Sequence, residues 1–423
     1  MTATPTDTTQ LTITRLGRDG DGAVDTPRGP VFVPDALPGE SYVVAADGSY
    51  ARTGAASPDR VAPPCRHFGT CGGCATQHMS ADLYRGWKSD LIRSGFQTQA
   101  IDIDLAPLFG VPPQSRRRAA LTAIVSGARV ILGYHARRSH TVIDLAECPV
   151  LSPAITAALP ALRDIARQIA GDIVKPGKSA ELRIQVAALT GGLDVAVHGI
   201  GAPPSMQAAA QLAILARRAG LARLTVEDMI VCSEQDPRLE TEAGAIVPPP
   251  GAFFQASADA ERQMAALIIA GVGKSKRVAD FFCGSGTFTL PLARRARVLA
   301  IDSDKSALAA LTHATRFAAG LKPIQPLLRD LVTEPLSPLE LAEIDAVVFD
   351  PPRAGAKAQC EMLVKSKVDT VVAVSCNPAT LARDCRILVD GGFAMGQVHG
   401  IDQFLWSPHV EAVVTLTREK RKR

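Results

Sequence analysis

The sequence predicts an α/β fold: a C-terminal, mainly parallel, doubly wound sheet, preceded by a small β-barrel and a β-rich central region. Three observations carry this expectation. After the proline cluster Pro248-Pro249-Pro250, short apolar strands alternate with helical stretches to the end of the chain. One of those strands, Val278 to Phe281, runs into the glycine turn Gly284-Ser285-Gly286 and then a helix. Another, Val347-Val348-Phe349, is cut by Asp350-Pro351-Pro352, and prolines cannot extend a central strand.

The elements follow in order. Residues 1–9 read as frayed. Leu11 to Ile13, Val31 to Val33 and Tyr42 to Val44 read as short strands, separated by turns at Gly17, Gly20 and Gly22 and at Pro34, Pro38 and Gly39. That spacing suggests a barrel over about residues 8–58. Residues 116–148 read as a region containing a β-hairpin and 153–170 as a helix. Leu182 to Val186 and Leu193 to Val197 pair around Gly191-Gly192, and 205–219 is an Ala-rich helix. Beyond the prolines come helix 258–270, strand Arg277 to Phe281, helix 288–295, strand Arg297 to Ile301 and helix 305–319. Strands Ala346 to Phe349 and Thr370 to Val374, helix 378–389 and strand Ala412 to Leu416 complete the chain. The expected units are therefore 1–58, 59–250 and 251–423.

Composition bounds the function. Of 423 residues, 47% are hydrophobic and 21% charged, which excludes a largely disordered chain. No 18-residue uncharged apolar run occurs and the start, MTATPTDTTQ, is polar. No membrane span and no secretory leader are expected, and a cytoplasmic monomer is. A net charge of +4 does not by itself announce a nucleic-acid partner. Nine cysteines, an odd number, point to metal or catalytic roles rather than a disulfide framework.

Four motifs carry chemistry. The glycine loop lets a ligand approach backbone at a helix N-terminus, and Asp302 follows at the end of the next strand, where a carboxylate can accept ribose hydroxyls. Asp280 before the loop, and Thr289 where a third glycine would stand, fit S-adenosylmethionine better than a dinucleotide. Asp350 should project into the crevice at the carboxyl ends of the strands. Cys376, in Ser375-Cys376-Asn377-Pro378, sits between strand and helix, where a helix N-terminus favours the thiolate nucleophile. Glu411, near Phe404 and Trp406, is a candidate base with a raised pKa, and His409 reads as a turn hydrogen-bonder. Separately, Cys65, Cys71, Cys74 and Cys148 supply four thiolates, enough for zinc or a [4Fe–4S] cluster.

Together, SCNPATLARD, DPPRAGA, DFFCGSGTFTLPLA and the terminal HVE resemble the RNA 5-methyluridine (uracil-C5) methyltransferase family. The resemblance spans nearly the whole chain and is weakest over 150–250. It implies a Rossmann-like S-adenosylmethionine-dependent methyltransferase domain and, from VFVPDALPGE, a TRAM-like RNA-binding barrel. By that resemblance Cys376 is the nucleophile and Glu411 the base, while Gln255, Phe282, Thr287, Asp302, Asp330 and Asp350 lie at cofactor positions. The cysteine spacing resembles the family's iron–sulfur branch acting on 23S ribosomal RNA, with Cys65, Cys71, Cys74 and Cys148 as [4Fe–4S] ligands. Two departures stand out: Phe404-Leu405-Trp406-Ser407 replaces the usual F-P-x-T, and Asp302 replaces a glutamate. Arg116, Arg117, Arg118, Arg137, Arg138 and the tail 418–423 are candidate phosphate partners. Aromatic residues are only 4%, so RNA shape and a flipped uridine should dominate recognition. The alternatives are a transfer-RNA uridine-C5 methyltransferase, a methyltransferase of exocyclic amines, which needs no Cys376, and a non-catalytic ribosome assembly factor.

Overall fold

Alternation decides the N-terminal unit. Leu11 and Ile13 are buried while Thr12 and Thr14 are exposed, and Val33, Ala36 and Tyr42 close on them. In this computed structural model, which describes residues 10–45, 47–173 and 179–418, the unit holds six strands. They are β1 (Gln10–Thr12), β2 (Arg15–Leu16), β3 (Gly22–Thr26), β4 (Gly29–Val33), β5 (Ser41–Val44) and β6 (Tyr50–Thr53). They form two antiparallel sheets, β1-β5-β6 and β2-β3-β4. The expected frayed start, 1–9, and tail residues 419–423 lie outside the described residues.

Helix α1 (Ala81–Gln97) begins at Ser80, whose side chain accepts from the Leu83 amide. It falls in the span assigned to the central unit, yet its Ile92 and Phe96 are buried in the core of the C-terminal sheet. Strand β7 (Phe109–Gly110) joins that sheet as well.

The central sheet is built from β8 (Arg118–Ser126), β9 (Arg129–His135), β10 (Val142–Asp144), β11 (Ser179–Leu189), β12 (Gly192–His198), β13 (Leu221–Val226) and β14 (Met229–Ser233). Its order is β10-β9-β8-β11-β12-β13-β14. Residues Leu121, Ala123 and Val125 alternate inward onto α2 (Pro153–Ile173) and α3 (Met206–Arg218). A small hairpin, β15 (Leu239–Thr241) and β16 (Gly244–Ile246), leads out of it.

The C-terminal unit runs α4 (Ala258–Val272), β17 (Arg277–Phe281), α5 (Thr289–Ala293), β18 (Arg297–Asp302), α6 (Lys305–Thr315), β19 (Ile324–Leu328), β20 (Ala346–Phe349) and α7 (Lys357–Lys365). It continues through β21 (Thr370–Ser375), α8 (Pro378–Asp390), β22 (Ala394–Asp402) and β23 (Glu411–Thr417). The sheet order is β19-β18-β17-β20-β21-β23-β22-β7. Strands β17 to β21 are mutually parallel, and β23 runs antiparallel to both neighbours. Ala346 to Phe349 are all buried, as expected for a strand covered on both faces. Strand order reverses between β17 and β20, and open α/β sheets bind ligands at such a switch point. Helix α6 stops at Thr315, short of the expected 319, and Gly320 turns with φ of 72°. Among the described residues no helix is long and apolar enough to cross a membrane.

Candidate active site

Topology gathers the motifs. Phe282, Asp350 and Cys376 directly follow β17, β20 and β21, and Asp302 ends β18. Because β23 is antiparallel to β21, with Ala412 opposite Ser375, its first residue Glu411 arrives at the same edge. All five line one cavity of about 760 Å³, together with Gln255 and Asp330. Thr287 is half-buried in the glycine loop and is not among the residues lining the cavity.

The loop is shaped for close approach. Phe282 has φ of 59°, a left-handed backbone rare for a bulky residue, of the kind that collects at functional sites. Gly286 turns with φ of 95°, which favours glycine, and a Cβ there would lie 2.4 Å from Leu311 Cδ1, so that side chain of α6 would have to shift. The Gly284 amide donates to Asp302 Oδ2 at 2.7 Å and the Asp304 amide to Oδ1 at 2.9 Å. Each of these oxygens keeps a second lone pair for a ligand hydroxyl.

Behind the reacting edge runs a directed hydrogen-bond chain. Gln403 Oε1 accepts from the Ala256 amide at 2.9 Å, which fixes the orientation of its carboxamide. Gln403 Nε2 donates to Glu411 Oε1 at 3.0 Å and to Gln255 Oε1 at 2.7 Å. Gln255 Nε2 then donates to Asp350 Oδ2 at 2.8 Å. Glu411 Oε2 is buried without a partner. Burial and the neighbouring Asp350 charge push Glu411 well above the usual carboxylate range. Burial likewise raises Asp350. The sequence reading attributes a raised Glu411 to Phe404 and Trp406, but only Phe404 lines the cavity. Trp406 packs instead beside Leu37, Met79, Tyr84 and Trp87.

Cys376 differs from expectation in its resting form. Burial, then the charges of Glu411 and Asp350, push its thiol up to about 11, against the Arg353 charge and a hydrogen bond from its own backbone amide. The cysteine lies outside the first helical turn. Asn377 caps α8, and its own carboxamide oxygen accepts from the Ala379 amide. The Ala379 amide is thus taken by Asn377, and burial with the two neighbouring carboxylates favours the thiol form of Cys376. His409 lines the cavity, where burial, then the Arg353 charge, lower its pKa to about 4. Its Nε2 accepts from Arg353 Nη2 at 3.0 Å.

Sequence reasoning missed the anchor beneath these residues. Lys88 of α1, fully buried, donates from Nζ to Asp402 Oδ1 at 2.7 Å, to Phe404 O at 3.2 Å and to His409 O. Tyr84 OH donates to Asp402 Oδ2 at 2.5 Å and accepts from the Trp406 amide at 2.9 Å. The available signal was a lysine four residues from both Tyr84 and Ile92, on the buried stripe of an amphipathic helix. Also unanticipated is Phe253, 66% exposed at the cavity, with the Arg118 guanidinium 4.1 Å from its ring centre.

Most of the candidate phosphate-binding arginines have other work. Arg117 is half-buried and paired with Glu261. Arg137 and Arg138 bind the buried Asp21 at 2.6 and 3.3 Å, tying the central hairpin to the N-terminal unit. Arg418 donates to the carbonyls of Leu363, Val364 and Ser366. Arg116 and Arg118 line the cavity.

Cys65, Cys71, Cys74 and Cys148 are half-buried and open onto this same cavity. Burial pushes the thiols of Cys71, Cys74 and Cys148 up, Cys74 to about 12, and their proximity to other members of the set adds to each rise. Among the described residues, no three His, Cys, Asp or Glu side chains are disposed to hold a metal ion.

Comparison with known proteins gives the frame. Residues 336–419 match the family model for tRNA (Uracil-5-)-methyltransferase. A protein of Brucella suis biovar 1 described as an RNA methyltransferase is 44% identical over 421 residues, 99% of this chain and 100% of the relative. The 23S rRNA (uracil(1939)-C(5))-methyltransferase RlmD of Chromohalobacter salexigens is 32% identical over 438 residues, covering 97% of this chain and 89% of its own. The chain belongs to the RNA uracil-C5 methyltransferases. These enzymes draw their methyl group from S-adenosylmethionine. The fold is also that of the tRNA (uracil-54, C5)-methyltransferase of Pyrococcus abyssi, with a TM-score of 0.70 at 19% identity, over 97% of this chain and 100% of the other. One cavity extends to Asp302 and Asp330 as well as to Cys376 and Glu411.

Proposed function

We propose that this RNA uracil-C5 methyltransferase modifies one uridine of 23S ribosomal RNA through a covalent bond between Cys376 and uracil C6, with Glu411 as the base. The observation carrying this reading is that Cys376, Asp350 and Glu411 line one cavity, and Glu411 keeps a buried carboxylate oxygen, Oε2, with no hydrogen-bond partner among the described residues. Gln255, Phe282, Thr287, Asp302, Asp330 and Asp350 are the residues that would hold S-adenosylmethionine. The glycine cradle and the spare lone pairs of Asp302 fit its ribose, while Thr287 stands off the cavity wall.

Uracil C5 is a poor nucleophile. Cys376 first releases its thiol proton to solvent; attack of the resulting Sγ thiolate at C6 then breaks the C5=C6 π bond and leaves C5 enolate-like. S-adenosylmethionine supplies the electrophilic methyl that C5 then takes. Glu411 removes the remaining C5 proton, the C–H electron pair re-forms C5=C6, and the C6–S pair returns to Sγ. A carboxylate with a raised proton affinity suits that transfer near neutrality.

Ribosomal RNA is favoured by the 32% identity to RlmD and by the four-cysteine pattern. The division 1–58, 59–250 and 251–423 then becomes a TRAM-like RNA-binding barrel, a cluster-bearing central unit and a catalytic domain, with 81–110 packed on the last. Cys65, Cys71, Cys74 and Cys148 would hold a [4Fe–4S] cluster. An all-thiol donor set fits it, and a cubane spreads its ligands over four irons, whereas zinc draws them to one point. Its role there would be structural or RNA-positioning, ordering the 65–77 wall of the cavity. Protein purified without oxygen should carry about four irons per chain. Stoichiometric zinc without iron would overturn that assignment.

Mass mapping of 5-methyluridine in ribosomal and transfer RNA, with and without the gene, tests the substrate. Loss confined to transfer RNA would move the assignment there. Glu411→Gln should accumulate a methylated protein–RNA adduct that survives denaturation, because methyl transfer needs no base at 411 but elimination does. Cys376→Ala should form no adduct and abolish methylation while still binding S-adenosylmethionine. Free turnover by Glu411→Gln would assign the base elsewhere.

A further inference from the structure

The base candidate is held by a residue outside the four chemical motifs. Gln403 is 2% exposed, and its three hydrogen bonds use the carbonyl and both amide hydrogens. The acceptor side is occupied by the Ala256 amide, so both N–H groups must point at Glu411 and Gln255. The amide cannot flip without facing an N–H with another N–H. Its backbone is equally fixed, because the preceding Asp402 is bound by Lys88 and Tyr84. Thus one rigid carboxamide occupies Glu411 Oε1 and leaves Oε2 without a hydrogen-bond partner among the described residues. The same carboxamide orients Gln255, which holds Asp350.

We infer that Gln403 is a positioning residue for the elimination half-reaction: it selects Glu411 Oε2 as the atom that takes the C5 proton and favours the ionised carboxylate. The inference rests on the proposed role of Glu411 as base. Asp350, from the loop after β20, opposes ionisation of that carboxylate, and Cys376, after β21, is the thiol facing it. Arg118 of β8 and Arg353 favour it, as does the Gln403 hydrogen bond. Removing a donor to a carboxylate raises its proton affinity by roughly one pH unit, about a tenfold loss of base at a fixed lower pH.

The test is the pH dependence of adduct breakdown in full-length Gln403→Met and Gln403→Glu, with S-adenosylmethionine and RNA saturating. Methionine keeps the length and removes every hydrogen bond. Glutamate still accepts from Ala256 but adds a negative charge beside Glu411. The expected result is a rise in breakdown rate displaced to higher pH by roughly one unit in Gln403→Met and further in Gln403→Glu. Several-fold more adduct should stand at pH about 7, disappearing as pH is raised. A packing role alone would slow breakdown equally at all pH values. An unmoved profile in the variants that fold overturns the inference, and Gln403→Glu serves if Gln403→Met does not fold. Glu411→Gln runs in parallel: if it traps no adduct, the reading of Glu411 as base fails first and the inference with it.

Discussion

Cys376 should become easier to alkylate when either neighbouring carboxylate is neutralised, and the size of the gain follows from its surroundings. Its thiol stands near 11 against an ordinary value of 9.0, raised first by burial and then by Glu411 and Asp350. Substituting Glu411→Gln leaves burial in place and removes one charge. If that lowers the thiol by one unit, the thiolate at pH 9 increases about tenfold, while each thiolate becomes about threefold less nucleophilic, for a net gain of roughly threefold. The effect has a pH signature. Glu411 itself is held protonated to higher pH than an ordinary carboxylate, so wild type and variant should differ least in mildly acidic solution and most above the Glu411 titration. The assay is iodoacetamide labelling of the intact protein without RNA, followed by mass quantification of the peptide carrying Cys376, because nine cysteines compete in any bulk measurement. Asp350→Asn should act in the same direction. Identical labelling of wild type and both variants between pH 8 and 10 would refute the electrostatic coupling of this thiol to the two acids.

Two further outcomes follow from buried charge. Lys88→Met should destabilise the protein by about 3–5 kcal/mol, since it strands the Asp402 carboxylate without a cation. A urea midpoint change equivalent to less than about 1 kcal/mol would contradict the burial argument. Asp280, raised to about 7 by burial, binds its proton more tightly in the native than in the unfolded chain. Its contribution is therefore complete below the ordinary carboxylate range and lost as pH rises through about 7, so the urea midpoint should fall from pH 6 to pH 8.5. Asp280→Asn should flatten that fall, and an equally steep dependence in the variant would sink the assignment to Asp280.

Much of the fold was legible because its strands are buried on both faces and its turns are marked. Val278 to Phe281, broken only by Asp280, Ala346 to Phe349 and Val371 to Val374 are apolar runs followed within a few residues by glycine or proline, and each lies in a strand of the sheet. Elements with mixed faces were not legible. Helix α1 carries charged residues along most of its length, α7 reads KAQCEMLVK, and β22 begins with Met395, Gly396 and Gln397 before its apolar end. Their burial is one-sided or partial, so neither periodicity nor length separates them from loops.

The sequence by itself determined which chemical groups meet at the sheet's edge. A residue that directly follows a parallel strand must lie at its carboxyl end, so Phe282, Asp350 and Cys376 could be placed together without coordinates. Tertiary structure alone decided their state and their supports. The reversal of β23 brings Glu411 beside Cys376 and Asp350; burial raises the proton affinity of all three, neighbouring charge adds to it at Cys376 and Glu411, and the result for Cys376 runs against the simple helix-terminus expectation. Lys88 and Asp402 are 314 positions apart, and Gln255 and Gln403 are 148 apart. No local pattern links such pairs. They meet because two separately encoded faces are buried against each other, and each buried polar atom must then find its partner there.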